Sequence, residues 1–155
     1  TFKIVVMKYQ PLVLIGEAEK CFDEQYTLPS IETDFKFLII EEPNELPKLL
    51  LMLLDKPFRL HAQALNQYMD DKGISNIIVR GGGYIRFYED GSIGAFGTSF
   101  AFKSAVPEQL ESCISVIWPS ADVNTDDLEH LPDHDFKYYH RSYSIDKIAE
   151  EAKKE

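Results

Sequence analysis

His61 is the only histidine in the first 129 residues. An imidazole changes charge near neutral pH, so it can serve as a general base or as a nucleophile. It stands where a helix is expected to begin, and a helix start presents backbone N–H groups that favour an anion. Downstream comes Gly81-Gly82-Gly83, which permits close backbone approach to a ligand. Then Thr98-Ser99-Phe100-Ala101-Phe102 closes a strand-like stretch, where Ser99 and Ala101 can offer a hydroxyl and an N–H to an oxyanion. Together these three features describe a compact oxyanion or phosphate site. Each alone has a plainer reading: a packed histidine beside an apolar stripe, a bulge or sheet bend, ordinary strand residues. The glycines match neither a dinucleotide fingerprint nor a P-loop.

The elements that must position these groups follow from periodicity. Residues 2–7, 11–15 and 35–40 predict strands, and 17–26 one or two helical turns. The run Leu49-Leu50-Leu51-Met52-Leu53-Leu54 fits a buried strand or a buried helix equally well. Pro57 suits a first helical turn, and Leu60, Ala64, Leu65, Tyr68 and Met69 form a one-sided stripe ending at Gly73. Strands are expected at 77–79, 84–88 and 92–96, the last two joined by Glu89-Asp90-Gly91. Pro107 opens a second helix through Ile114, and a terminal helix is expected over 144–155. These strands and helices are compatible with an α+β fold.

The order of four segments is more specific than any one of them. Phe35-Lys36-Phe37-Leu38-Ile39-Ile40, Leu60-His61-Ala62, Gly81-Gly82-Gly83 and Thr98-Ser99-Phe100-Ala101-Phe102 resemble the motifs of the phosphohistidine phosphatase (Janus/ocnus) family. The resemblance covers residues 34–125 and includes the Pro107 helix and Trp118-Pro119. It implies an α+β fold, a mixed twisted β-sheet with helices packed on it, with a phosphohistidine-phosphatase-like core at 34–125. The length and the lack of a linker point to a single domain over 1–155, leaving an N-terminal extension at 1–33 and an acidic C-terminal extension at 126–155. The resemblance also implies metal-independent hydrolysis of an N–P bond of phosphohistidine type in a phosphorylated protein substrate, without a cofactor. His61 would be catalytic. Lys36, Ala62, Gly82, Gly83, Ser99 and Ala101 would line the phosphate pocket. Two departures stand out. Leu60 replaces the family's aromatic residue before the histidine. Tyr84 replaces the arginine after the glycines, which removes a bidentate phosphate grip that a phenol cannot reproduce. Arg86, two residues along the same strand face, or Arg59, beside His61, would have to supply it. The alternative is a catalytically inactive phosphate- or protein-binding, regulatory module on the same scaffold.

Bulk properties bound the partners. A chain of 155 residues that is 45% hydrophobic, with ten Phe and eight Tyr, can build one packed core. A formal net charge of −10 disfavours nucleic acid and anionic membrane and favours basic proteins. Beyond residue 120 stand ten acidic and five basic residues, so −5 of the −10 lies there. Cys21 and Cys113 match no metal or redox spacing and are expected to be reduced thiols. No apolar run is long enough to span a bilayer, and the N-terminus lacks a signal-peptide pattern. A cytoplasmic location is the expectation, with the oligomeric state left open. His130, His134 and His140 lie among Asp126, Asp127, Glu129, Asp133 and Asp135, yet no zinc or calcium spacing is met, so a solvated loop is expected and no metal site.

Overall fold

The computed structural model describes residues 10–54, 56–129 and 141–154. The strand expected at 2–7 and the histidine-rich stretch around His130, His134 and His140 therefore lie outside the described residues. Among the described residues the architecture is α+β, as expected: a seven-stranded mixed sheet flanked by helices on both faces. The strands are β1 (Leu12–Ile15), β2 (Thr33–Glu41), β3 (Lys48–Leu53), β4 (Asn76–Phe87), β5 (Ile93–Gly97), β6 (Val123–Leu128) and β7 (Arg141–Ser144). Their order is β1-β3-β2-β4-β5-β6, and β7 pairs with the first part of β4. The β1/β3 and β5/β6 pairs are parallel and the others antiparallel.

The ambiguous apolar run becomes β3, and its environment shows why it carries no alternation. It lies between β1 and β2, and both of its faces are buried, Leu49 and Leu51 on one side and Leu50 and Met52 on the other. A strand buried on both faces reads as a continuous apolar run.

Helix α1 (His61–Lys72) ends at Gly73, whose φ of 68° gives the left-handed turn that glycine supports. Its stripe of Ala62, Leu65, Tyr68 and Met69 covers Leu38, Ile40, Leu50 and Met52. Helix α3 (Ile145–Ala152) joins the same layer through Ile148 and is capped by Ser144, whose hydroxyl accepts from the Lys147 N–H at 3.2 Å. On the other face, helix α2 (Pro107–Ile117) and the 3₁₀ helix Gly16–Cys21 pack with Phe22 and Trp118 over Phe35, Phe37, Ile85 and Phe87. An aromatic cluster knits this layer, with Phe22, Phe35, Phe87 and Trp118 rings 5.1–5.7 Å apart.

The triple glycine is not a turn between two strands. It lies inside β4, which runs unbroken through twelve residues. Arg80 and Gly81 stand against the single residue Ile39, a bulge that bends the strand, and Gly81 takes a φ of 101°. The reason for three successive glycines is tertiary. A Cβ at Gly81 would meet the Ser104 carbonyl oxygen at 2.4 Å, and one at Gly83 would meet the Phe96 carbonyl oxygen at 2.9 Å. At Gly82 it would meet Phe37 O at 2.5 Å. The segment following β5 is laid directly on the β4 backbone here, which side chains would prevent.

Candidate functional site

That close approach is what holds Ser99. The Ser99 N–H donates to Gly82 O at 3.2 Å, and the Gly82 N–H donates to Lys103 O at 2.9 Å. The Ser99 hydroxyl is fully buried and accepts the Phe102 N–H at 3.3 Å, closing the loop on itself. Lys103 adopts a φ of 64° in this turn. The Gly82 amide is thus spent on building the loop, and the Ser99 oxygen accepts within it. Ala62 is buried on the inner face of α1, and Ala101 packs half-buried against the same cluster.

His61 occupies the first position of α1. The helix entry is fixed by Gln63, whose Oε1 accepts the Arg59 and Leu60 N–H groups at 3.1 and 3.0 Å. The imidazole is 7% exposed, and its Nε2 lies 2.8 Å from Gly83 O. A carbonyl only accepts, so Nε2 carries the proton and the lone pair of the neutral ring sits on Nδ1. Burial pushes the imidazole down to about 4, the Gly83 bond opposes this, and the nearby Lys36 charge adds to the depression. The ring is therefore neutral at physiological pH.

Lys36 and Tyr84 are cross-strand partners on β2 and β4, on the face that α1 covers. Lys36 is only 6% exposed and is itself engaged within the fold. The Tyr84 ring stands edge-on to the His61 ring at 5.6 Å and stacks on Phe96 at 5.6 Å. Where the resemblance expects a guanidinium reaching a phosphoryl group, an aromatic row runs from the histidine toward the sheet edge.

The structure brings His61, Lys36, Gly83 and Tyr84 together, and sets Gly82 and Ser99 beside them through the loop. It does not bring Arg86 or Arg59 in. Arg86 shares the Tyr84 face, as two-residue alternation predicts, but its guanidinium closes on Asp34 with Nε–Oδ1 at 2.6 Å and Nη2–Oδ2 at 2.9 Å. That fork-to-carboxylate bond keeps the guanidinium firmly charged, and the group lies over the Phe96 ring at 5.2 Å. Arg59 is exposed. Asp34 and Phe96 were not singled out from the sequence. The signal that finds them is strand register, which aligns Asp34 with Arg86 and Phe96 with Tyr84.

Among the described residues, no three His, Cys, Asp or Glu side chains gather as metal ligands, and no helix is long and apolar enough to cross a membrane. Cys113 is pushed up to about 11 by burial, which leaves it a thiol rather than a nucleophilic thiolate at neutral pH. No protein-family model and no curated protein matches this chain.

Proposed function

We propose that this chain is a non-hydrolytic protein-binding module on a phosphohistidine-phosphatase-like scaffold. One observation carries the reading: the His61 imidazole is buried, bonded to Gly83 O and faced by the Tyr84 ring. Transfer of a phosphoryl group needs donors aimed at three equatorial oxygens and an attacking atom in line with the leaving one. Here the Gly82 amide is bonded within the loop, the Ser99 hydroxyl is fully buried in it, and the Arg86 fork serves Asp34. The charge of −10 favours basic protein partners.

A second reading, N–P bond hydrolysis, is favoured by one specific arrangement. A neutral imidazole oriented by a backbone carbonyl beside a lysine is a reasonable nucleophile. One assay separates the two. Polyhistidine phosphorylated with phosphoramidate is incubated with the wild type and with His61→Ala, and phosphate release is followed. The module reading expects equal, background release from both. Release by the wild type that His61→Ala abolishes would reinstate the hydrolase.

A further inference from the structure

The aromatic row ends at an open cleft of about 360 Å³ over the β5 and β6 strands, away from His61. Its lining includes Tyr88, Gly94, Phe96, Asp122, Asn124 and Asp127. Gly94 makes the room: its Cβ would sit 3.2 Å from the Tyr88 ring, so any side chain there crowds the space beside that ring. The walls combine two aromatic side chains with two carboxylates, and among the described residues no lysine or arginine lines the cleft. No described residue forms an ion pair with Asp122 or Asp127. The Arg86 guanidinium, paired with Asp34, already lies over both rings, 5.2 Å from the Phe96 centroid and 6.0 Å from that of Tyr88, so a second cation is left the carboxylate side of the cleft. Among the described residues β6 is the last strand of the sheet on this side.

Aromatic rings flanked by carboxylates suit a cation with a planar, weakly hydrated face, which describes a guanidinium better than an ammonium. From this charge complementarity we infer that the cleft docks an arginine side chain carried on an extended basic segment of a partner protein. The inference rests on the reading of the chain as a binding module and names the chemistry of its partner.

The probe is an acetylated hexa-arginine peptide titrated into the full chain, followed by backbone amide shifts in nuclear magnetic resonance. Saturable shifts centred on Gly94, Phe96, Asn124 and Asp127 are expected. Asp122→Asn and Asp127→Asn should each weaken binding by about threefold to fivefold, in line with partly exposed charge pairs. Gly94→Val should abolish the saturable shifts while leaving the remaining spectrum folded. Asp70→Asn, an exposed carboxylate on α1, should change affinity by less than either. Equal losses from Asp70→Asn and the cleft variants would reduce the binding to diffuse attraction and overturn the inference. So would shifts mapping elsewhere, or none. Shifts at the same residues with calcium chloride, with the peptide silent, would identify a metal-ion site and also overturn it. The phosphate-release assay fails independently: His61-dependent hydrolysis alongside cleft binding removes the non-hydrolytic reading and keeps the cleft.

Discussion

Lowering the pH should cost this fold stability through a single imidazole. His61 is neutral and buried in the native chain, and burial pushes it from its ordinary 6.5 down to about 4. The unfolded chain therefore binds a proton at a pH where the native one does not, so stability falls as pH drops below 6.5. The loss is complete only below about 4. A depression from 6.5 to about 4 corresponds to about 3 kcal/mol when fully expressed, and to about 2 kcal/mol between pH 7.5 and pH 5. The group is largely out of solvent, so little of this is lost to screening. Carboxylates held low by native hydrogen bonds, such as Glu42, also lose stability on acidification, which is why a paired comparison is needed. In His61→Gln the amide N–H can still donate to Gly83 O, yet it does not titrate. Urea unfolding of both proteins at pH 7.5 and pH 5 isolates the term: the wild type should lose about 2 kcal/mol more than the variant. Parallel losses would mean that the imidazole titrates normally, and the packed geometry of His61 under Tyr84 would have to be abandoned.

Two further perturbations test how the scaffold is held. Lys48 is buried with Nζ 2.6 Å from Glu42 Oε2, and Tyr68 donates to the same oxygen at 2.8 Å. Burial pushes the Glu42 carboxyl up, but the bonds from Lys48 and Tyr68 more than offset this, so Lys48→Met should cost about 3 kcal/mol by stranding a charge. Adding Glu42→Gln should recover part of that loss in denaturant unfolding, and a double variant no more stable than the single one would contradict the pairing. Gly81→Ala should destabilise the fold by 3 kcal/mol or so, since the new Cβ meets the Ser104 backbone at 2.4 Å and φ is 101°. Thermal unfolding reads this directly, and an unchanged midpoint would show that the segment after β5 does not lie on β4.

The α+β class and most element positions were legible because they rest on local signals. The stripe from Leu60 to Met69 with Gly73 beyond it marks α1, Pro107 marks α2, and Phe35–Ile40 marks β2. What escaped depends on pairing at long range. The Gly81-Gly82-Gly83 run reads as a bulge or sheet bend between two strands, and the structure puts the bulge inside a single strand. The approach of Phe96 and Ser104 to β4, together with the β2 backbone at Phe37, explains why a strand interior needs three missing side chains. Asp34 and Arg86 are 52 positions apart and meet because β2 and β4 share a register that no local pattern encodes. Alternation placed Arg86 on the Tyr84 face correctly, but facing the same way does not decide which anion the guanidinium chooses.

Tyr84 illustrates a further limit. From sequence, tyrosine for arginine reads as a subtraction, the loss of a phosphate grip. In the fold it is also an addition, since the ring fills space between His61 and Phe96 and contacts both. A guanidinium at that position would put a third cation near Lys36 and Arg86 and would need an anion to balance it. An aromatic ring needs none, and it lets the imidazole stay dry and neutral. The Tyr84 ring also extends the aromatic row to Phe96, whose ring walls the acidic cleft. Closing the histidine end and furnishing the cleft are therefore two consequences of one stack of rings. Perturbing Tyr84 should be felt both in the titration of His61 and in the amide shifts of Gly94 and Phe96.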